Sequence, residues 1–379
     1  MKKAWSVFVK SMREQWRDPL GLSLSLAFAP VFVLLYYMIF PGGSTTIGVM
    51  ILDQGQGSSP AVRQFAGALQ DVRYASGNPM LIVTTGTDRA EAEKKLRDRQ
   101  TDAVLVIPPD FDEAVRSGLK QKTTITFVGD LTNPRYSIAA TLASSVLQQF
   151  AQSTAGLPVL IETKEETLGA SATRSEFETY VPGLLVFAVI MIIFQAAMVI
   201  AREIEAGTLR RLQISDMTAF DFLLGVSGSQ ALIALASFGL TYLVALGLGF
   251  TSLGPWWVAL LVTVLASVSI IGTGLIVASF SKTVTQAFLI ANFPLGFYMF
   301  FSGSIFPMPR ITLFTLFGHP IGPFELLPPT HAVTALNKVF TLGAGLGDVW
   351  FELAALGILS GIYFAIGVWL FNKNHLARN

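Results

Sequence analysis

Histidine is the side chain most often used as a general base or metal ligand near neutral pH, and this sequence of 379 residues contains only three. His319 and His331 lie on either side of Glu325, and two imidazoles with a carboxylate could hold a metal ion or move a proton. Their spacing fits no common zinc motif. We expect these residues to be structural or to contact a bound molecule, with catalysis as the alternative.

Three carboxylates, Asp53, Asp102 and Asp130, lie near the ends of predicted strands, where open α/β sheets often bind ligands. Turn formation and helix capping explain the same residues, and we favour that interpretation. The surrounding region, residues 46–180, contains no histidine and no GxSxG motif. Cysteine is absent from the whole chain, which excludes disulfides, thiolate metal sites and cysteine nucleophiles. These residues therefore give no support for an enzyme.

A further charged cluster lies between two apolar runs. Glu203 and Glu205 end the first run, and Gly207-Thr208 then allows a turn. Leu209–Ile214 is long enough for a short helix, and Thr218-Ala-Phe-Asp221 is a capping box that begins the second run. The pattern predicts a short rigid helix held under a membrane, which suits docking to a cytosolic partner. A well-capped tight connection is the alternative.

The elements that must position these residues are membrane helices. Hydrophobic residues make up 52% of the chain and charged residues 13%, about half the usual charged share of ~25%. This composition excludes a soluble enzyme, a disordered chain and a coiled coil, and no basic cluster argues for nucleic acid as a partner. A ~30 Å hydrocarbon core needs roughly 20 apolar residues in a helix. Six stretches meet that requirement: Leu20–Phe40, Val181–Ala201, Phe222–Phe250, Trp256–Phe280, Val284–Phe306 and Trp350–Phe371.

The positions of Lys and Arg near the span ends predict the orientation, because these residues are enriched on the cytoplasmic side. Basic residues precede span one, follow span two, separate spans four and five, and follow span six. Both termini are therefore expected in the cytoplasm, and the long segment between spans one and two is expected outside.

We expect no ionised side chain at membrane depth in the six spans, where proton and ion relays would need one. This expectation argues against an ion-coupled secondary transporter and leaves an apolar or amphipathic cargo with an external energy source. Gln195 and Asn292 are polar residues within the spans and are candidates for a cargo path. Hydrogen bonding between neighbouring helices is the alternative for both.

Residues 1–19 are predicted to form an amphipathic helix at the membrane surface, ended by Asp18-Pro19. At about 100° per residue, its apolar and basic residues fall on opposite sides. The apolar side comprises Trp5, Phe8, Val9, Met12 and Trp16, and the basic side comprises Lys2, Lys3, Lys10, Arg13 and Arg17. A helix that lies on lipid without a protein partner fits the same pattern.

The region between spans one and two alternates strand and helix signals, which predicts a small α/β layer domain. Strands are expected at Ile47–Leu52, Met80–Thr84, Ala103–Ile107 and Thr123–Val128, with Val159–Thr163 as a further candidate. Helices are expected to begin near Ser59-Pro60, Asp88, Asp110 and Asn133-Pro134.

Residues 307–348 are mostly apolar but too rich in proline to form a spanning helix. Short helices that dip back into the outer leaflet are expected, because irregular apolar backbone is tolerated only against protein or a cavity. Gly303, Phe306 and Gly322 are the candidates here for an outer gate.

Several short motifs occur in a fixed order along the chain. They are Arg17-Asp18-Pro19, Val181-Pro182-Gly183, Arg202-Glu203 through Gly207-Thr208-Leu209, Phe301-Ser302-Gly303 with Phe306-Pro307, and Gly345-Leu346-Gly347-Asp348-Val349-Trp350. With these motifs and this topology, the whole chain resembles the permease subunits of bacterial ATP-binding-cassette exporters. The resemblance is to the type-two export permeases that carry a large extracytoplasmic domain between spans one and two.

The resemblance implies a membrane α-helical fold of six transmembrane helices, with an N-terminal interfacial helix and an inserted α/β extracytoplasmic domain. The implied segments are the interfacial helix at 1–19, span one at 20–40, the extracytoplasmic domain at 41–180 and a five-span domain at 181–379. The five-span domain contains a cytoplasmic coupling loop at 202–221 and an outer re-entrant segment at 307–348.

The resemblance also implies partners and a location. These are a second copy or a paralogous permease, two cytosolic ATPase subunits that use ATP and magnesium, membrane lipid, and as an option a periplasmic adaptor, all at the bacterial inner membrane. Coupling to the ATPases is assigned to Glu203, Glu205, Gly207, Thr208, Leu209, Arg210, Arg211 and Leu212, and the interfacial helix contributes Trp5, Phe8, Met12, Trp16 and Arg17. The chain has no GxxxxGK[ST] phosphate loop. ATP hydrolysis is therefore expected in another polypeptide, and no cofactor or metal is expected in this one.

Two other functions stay open at the level of the sequence. One is a membrane-anchored scaffold or receptor whose outward domain binds a partner. The other is a membrane enzyme acting on lipid-linked substrates, for which Glu325, Asp348 and Glu352 would be the available outer carboxylates.

Overall fold

The structure is a computed structural model. It describes residues 2–39, 46–55, 59–74, 77–98, 100–118, 122–130, 134–155, 175–208, 217–305 and 311–376. The chain divides into two compact units by its internal contacts. One unit comprises Met1–Pro41 and Leu168–Asn379, and the other comprises Gly42–Thr167.

The smaller unit is a four-stranded sheet with helices. Its strands lie in the order β2-β1-β3-β4, with β1 parallel to β2 and β3, and β4 antiparallel to β3. The strands are β1 Ile47–Asp53, β2 Leu81–Gly86, β3 Ala103–Ile107 and β4 Thr126–Val128. The helices are α3 Pro60–Gln70, α4 Arg89–Arg97, α5 Phe111–Arg116 and α6 Pro134–Thr154.

Alternating side chains along β1 build an apolar layer on each face of the sheet. Val49 packs in a core with Phe65 of α3, whereas Met50 packs with Ala92 of α4 on the other side. The strands lie close to their predicted positions, although β4 is shorter than expected. The further candidate strand at Val159–Thr163 lies outside the described residues.

The larger unit is helical. Its helices are α1 Lys2–Arg17, α2 Pro19–Ile39, α7 Glu176–Ile190, α8 Ile192–Glu205, α9 Ala219–Gly247, α10 Trp256–Ser279, α11 Val284–Phe301, α12 Pro328–Leu342 and α13 Trp350–Phe371. Only Met191 separates α7 from α8, and the two act as one long apolar helix. Within the described residues, 6 helices are long and apolar enough to cross a membrane: Gly21–Ile39, Phe177–Glu205, Phe220–Gly247, Trp256–Ser279, Val284–Phe301 and Leu346–His375.

Small residues allow the membrane helices to approach each other closely, as expected where lipid removes the hydrophobic drive for association. A Cβ on Gly367 of α13 would lie 2.7 Å from the carbonyl oxygen of Gly272 on α10. Similarly, a Cβ on Gly274 would lie 2.6 Å from the Cβ of Ala196 on α8. These contacts place α10 at the centre of the bundle, between α8 and α13.

Glu352 contradicts the expectation that the spans contain no ionised side chain. It lies in the first turn of α13, inside the sixth apolar helix, and its side chain is 5% exposed. Lys338 of α12 donates from Nζ to Glu352 Oε1 at 2.7 Å. An amino group from a neighbouring helix thus compensates a carboxylate that would otherwise be costly at this depth.

The segment that precedes α13 is only partly helical, whereas the sequence predicted short helices, and its entry into the outer leaflet stays a prediction. It begins with an antiparallel hairpin of β5 Phe314–Leu316 and β6 His319–Ile321. Phe317 and Gly318 form its turn, both with positive φ, and this geometry matches the right-handed twist of the two strands. One 15-residue helix, α12, follows after a single short turn, and most of its apolar side is buried.

The bundle has two ends that differ in composition. We call the end that contains α1, the last turn of α8 and the first turn of α11 the α1 end. We call the opposite end, with the β5–β6 hairpin, α12 and the start of α13, the hairpin end.

Candidate functional site

The charged side chains in the last turn of α8 form hydrogen bonds and ion pairs with several neighbouring elements at the α1 end. The helix ends at Glu205, and Gly207 follows with φ +67, a conformation that glycine adopts without strain. Thr208 then turns back, and its hydroxyl donates to the main-chain oxygen of Glu203 at 2.9 Å and to the Glu203 carboxylate. Glu203 therefore fixes the direction in which the chain leaves the helix.

Glu203 also ties α8 to the N-terminal helix. Lys10 Nζ donates to Glu203 Oε1 at 2.7 Å, and the carboxylate is 12% exposed while the lysine is 50% exposed. Partial burial alone would lower the pKa of Lys10, but the hydrogen bond and the charge of Glu203 outweigh it and raise that pKa above its usual value. Lys10 is therefore positively charged at neutral pH.

A second ion pair lies one residue earlier on α8. Arg202 Nη2 lies 3.5 Å from Asp18 Oδ2, and Asp18 Oδ1 accepts the amide of Gly21 at 3.0 Å in the first turn of α2. Asp18 thus caps α2 and contacts the end of α8 at the same time. This arrangement gives the Arg17-Asp18-Pro19 motif a structural role at the junction of α1 and α2.

Glu205 reaches a third element. Its Oε2 accepts the amide of Val284 at 2.9 Å, at the first residue of α11. Thr283 caps the same helix through the amide of Gln286. Three charged residues in the last turn of α8 therefore connect α1, α2 and α11. We call the set Asp18, Lys10, Arg202, Glu203 and Glu205 the α8 node.

The helix α1 packs on α9 through small residues rather than through its largest apolar ones. Its buried side consists of Ala4, Val7, Ser11 and Gln15. A Cβ on Gly225 of α9 would lie 2.5 Å from the carbonyl oxygen of Ala4, and the hydroxyls of Ser11 and Ser229 share a hydrogen bond of 2.8 Å. The helix therefore packs on its own chain as well as on any lipid, and its contact with a second protein stays a prediction.

The predicted apolar side of α1 is a separate surface. Trp5 and Trp16 are 65% and 72% exposed, and Phe8 and Met12 lie at the edge between this surface and α9. Arg17 is exposed on the polar side. The helix thus has three sectors, facing protein, an apolar medium and water. A sequence pattern that distinguishes only an apolar and a polar side could not separate the sector that faces protein from the sector that faces an apolar medium.

Part of the predicted coupling loop cannot be placed. Leu209, Arg210, Arg211 and Leu212 lie outside the described residues. The capping box at the start of α9 is confirmed, since Thr218 accepts from the amide of Asp221 and the Asp221 carboxylate accepts in return.

The two polar residues predicted for a cargo path bond to main chain. Gln195 Nε2 donates to the carbonyl oxygen of Gly21 at 3.0 Å and to the hydroxyl of Ser25, so it links span two to span one. Asn292 Nδ2 donates to the carbonyl oxygen of Phe288 at 2.7 Å within its own helix, on an exposed face. The structure does not bring these two side chains together.

The candidates for an outer gate have backbone roles at the hairpin end. Gly303 has φ +79, directly after the last turn of α11. A Cβ on Gly322 would lie 1.8 Å from the carbonyl oxygen of Ile311, so glycine is required where the two ends of the hairpin meet. Phe306 lies outside the described residues.

The histidines and Glu325 form structural contacts. Glu325 Oε2 accepts the amide of Gly322 at 2.8 Å, and His331 Nε2 lies 2.8 Å from the carbonyl oxygen of Glu325. The His319 ring stacks on the Phe351 ring with centroids 4.0 Å apart. Among the described residues, no group of three His, Asp or Glu side chains could hold a metal ion.

The strand-end carboxylates of the sheet unit also have internal partners. Asp53 Oδ1 accepts the amide of Gly55 at 2.8 Å, and Asp102 accepts the amide of Gly48 and pairs with Arg135 at 3.1 Å. Asp112 Oδ1 accepts from the first turn of α3, at the amide of Ala61. The helix terminus that could bind an anion in such a fold is therefore filled by a side chain of the protein itself.

Sequence reasoning missed the ion pair between Lys338 and Glu352 and the packing face of α1. The first was visible as an acidic residue in the first turn of an apolar run. The second was visible as four small or polar residues at helical spacing, Ala4, Val7, Ser11 and Gln15. A hydrophobicity pattern does not detect a packing face of this composition.

These helices and their packing define a multi-pass membrane protein. A family model for ABC-2 family transporter proteins matches residues 20–369, nearly the whole chain. The chain therefore belongs to the ABC-2 transporter permease family, and its role is that of a membrane subunit in transport. Membership implies partnership with an ATP-binding-cassette ATPase subunit. A search of curated proteins found no match.

Proposed function

We propose that this chain is the membrane permease of an ATP-driven exporter that moves an amphipathic, lipid-like or drug-like cargo outward. A separate cytosolic ATPase subunit binds ATP and magnesium and carries out hydrolysis. Two permeases, either two copies of this chain or this chain and a paralogue, form the transport unit. Membership in a transporter family and the apolar composition of the six candidate membrane helices support this function.

The observation that carries the proposal is the α8 node. A docked ATPase that displaces the chain after Gly207 would act directly on Glu203, because Thr208 binds that carboxylate. Glu203 would pass the displacement to α1 through Lys10. Glu205 would pass it to α11 through the amide of Val284. One loop is thus connected to both α1 and α11.

In this proposal Glu203 and Glu205 position the loop, whereas docking itself falls to residues beyond Thr208. Leu209 and Leu212 would supply an apolar anchor, and Arg210 and Arg211 would select the partner through charge. Trp5 and Trp16 would hold α1 at the level of the lipid headgroups, where tryptophan is enriched. The α1 end then faces the cytoplasm of a bacterial inner membrane. The segment between spans one and two is extracytoplasmic in this proposal, which would make it available to a periplasmic adaptor.

Purification of the intact complex from native membranes tests the function. We expect an ATPase subunit with a phosphate loop to co-purify and to hydrolyse ATP, and we expect removal of magnesium to abolish the activity. A replacement of Leu209 and Leu212 by Asp should release that subunit, while the same change at the exposed Ile138 of α6, outside the spans, should not. Recovery of the chain with no ATPase, under conditions that preserve the bundle, would contradict the proposal.

Cysteine labelling tests the orientation, because the chain contains no native cysteine. Lys282→Cys and Leu253→Cys form a matched pair, since both residues are exposed and they lie beyond opposite ends of α10. Leu253→Cys and Ser117→Cys should react with an impermeant reagent added outside, and Lys282→Cys should react only after permeabilisation. The reverse pattern would overturn the orientation without affecting the family.

A further inference from the structure

The β5–β6 hairpin presents apolar side chains that no described part of the chain covers. Phe317 and Leu313 are 77% and 69% exposed, and Ile311, Phe314 and Leu316 are also exposed. Residues 311–321 contain no Asp, Glu, Lys or Arg. A patch of this kind is rare on a surface that faces water, and a hairpin with no apolar cover is at best marginally stable there.

The turn of the hairpin adopts a strained conformation that exposes an aromatic side chain. Phe317 has φ +49 and Gly318 has φ +81, values that fit a turn in which both central residues are left-handed. Asn, Asp or Gly is the usual first residue of such a turn, and a bulky residue there is an outlier. Among the described residues, Phe317 is the only non-glycine residue with positive φ. Strain of this kind is concentrated at functional positions.

The hairpin is fixed beside the start of span six. The Phe317 ring lies 6.3 Å from the ring of Trp350, the first residue of α13, and the His319 ring stacks on Phe351. Trp350 and the two tryptophans at the start of α10 are exposed at this same end of the bundle. Tryptophans at the ends of spans mark the boundary between headgroups and acyl chains.

The apolar surface of the hairpin therefore continues the lipid-facing surface of the bundle. Beyond Trp350, the exposed residues of α13 include Ile358, Ile362 and Ile366, which are suited to contact with acyl chains. The hairpin adds phenylalanine and leucine side chains next to that surface and adds no charge. Because the hairpin surface continues the lipid-facing surface of the bundle, the partner that it fits is the membrane.

We propose that the β5–β6 hairpin is a lipid-binding wedge that inserts Phe314, Leu316 and Phe317 into the outer leaflet beside span six. The insertion is shallow, because the outer edges of a two-stranded hairpin carry main-chain groups that need water or headgroups as hydrogen-bond partners. Pro320 lacks an amide hydrogen and reduces that requirement on β6. The wedge would disorder the leaflet next to the bundle. The choice of the outer leaflet rests on the proposed orientation, whereas insertion of the hairpin into lipid depends neither on the cargo nor on ATP hydrolysis.

Nitroxide depth measurements test the wedge in the full-length protein reconstituted into phospholipid nanodiscs. Spin labels at Phe314→Cys and Phe317→Cys should collide more often with oxygen, which concentrates in the acyl chains, than with a water-soluble nickel chelate. Thr315→Cys is the matched control, because it lies between Phe314 and Leu316 on the opposite side of β5. Its label should show the reverse order.

Two results would overturn the proposal. Higher collision with nickel at Phe314→Cys and Phe317→Cys would place the tip in water. Low collision with both reagents, together with spin–spin broadening between labels, would show that a second copy of the chain covers the hairpin.

A second variant separates lipid binding from folding. Phe317→Asn gives the turn a residue that tolerates its backbone conformation, so the melting temperature in detergent should stay the same or rise. In nanodiscs, the same substitution should shift a label at Phe314→Cys toward water. A lower melting temperature with an unchanged label depth would mean that Phe317 packs against the protein rather than against lipid.

Discussion

The two ends of the helical bundle are held together by different kinds of interaction. At the α1 end, α1 packs closely on α9 at Gly225, but charged side chains connect the end of α8 to its neighbours. Several of these side chains are half exposed, as Lys10 is in its pair with Glu203. At the hairpin end, main chain packs on main chain. A Cβ on Gly183 of α7 would lie 2.1 Å from the carbonyl oxygen of Ser304, and one on Gly254 would lie 2.3 Å from that of Val339.

This difference predicts which end can change its arrangement. An ion pair at a partly exposed surface contributes only ~0–1 kcal/mol, so a docked partner can break and remake such pairs. Closely packed backbone resists displacement, because a helix that moves there loses many van der Waals contacts at once. We therefore expect the α1 end to rearrange during transport and the hairpin end to act as a fixed frame.

The largest effect is expected from breaking the buried ion pair of the hairpin end. Lys338→Ala would leave Glu352 buried with no compensating charge, since Glu352 Oε2 has no partner within the described residues. Removal of one member of a buried pair costs about 3–5 kcal/mol, which should lower the melting temperature in detergent sharply. Lys282→Ala, at an exposed lysine of the other end, is the control and should have little effect.

The double variant Lys338→Met with Glu352→Leu sharpens this test. A buried pair can often be replaced by apolar residues at little cost, so the double variant should recover most of the lost stability. If Lys338→Ala melted like the unmodified protein, the hairpin end would not depend on this pair.

A somewhat smaller effect is expected from Gly183→Val. The new side chain would meet the carbonyl oxygen of Ser304, and overpacking of this kind typically costs about 1–3 kcal/mol. Gly296→Val in α11 is the matched control, because no atom lies within 4 Å of its added Cβ. Equal melting temperatures for the two variants would show that α7 can move away from the turn after α11, contrary to a fixed frame.

The smallest effect concerns pH. Burial lowers the pKa of His331 below its usual value of 6.5, although the nearby carboxylates of Glu325 and Glu352 oppose the shift. As the pH falls below 6.5, His331 binds a proton in the unfolded chain but stays neutral in the folded chain. The free energy of unfolding therefore decreases with decreasing pH in that window. His331→Gln should flatten the dependence of the melting temperature on pH between about pH 7.5 and about pH 5.5. An unchanged slope would assign the effect to another group.

Much of the fold follows from the sequence because the spans and strands depend on local patterns. Apolar runs of helical length predicted each of the six described helices that are long and apolar enough to cross a membrane. The Thr218–Asp221 capping box was correctly predicted at the start of α9. The β5–β6 hairpin was missed because its turn begins with Phe317, a residue that normally argues against such a turn. Turn propensities cannot predict a bulky residue in a strained backbone conformation, such as Phe317 with its positive φ.

The candidate site was predicted only as a list of residues. Glu203 and Glu205 were correctly singled out as charges at the end of a span, but their partners Lys10 and Val284 lie far away in the chain. Local patterns contain no information about such contacts. The resemblance assigned both carboxylates to coupling with the ATPase, and the structure adds that each bonds within its own chain.

The central claim is that the pair of Lys10 and Glu203 transmits motion between the coupling loop and α1. A charge swap tests it most directly, with ATP hydrolysis by the purified complex in nanodiscs compared with hydrolysis by the ATPase subunit alone. Lys10→Glu and Glu203→Lys should each reduce the stimulation by the permease about fivefold, as expected for a change of ~1 kcal/mol. The double swap should restore a substantial part of it. Arg13→Glu on the same helix is the control, since the described residues include no ion-pair partner for it. Full stimulation in both single variants, or no recovery in the double swap, would contradict the claim.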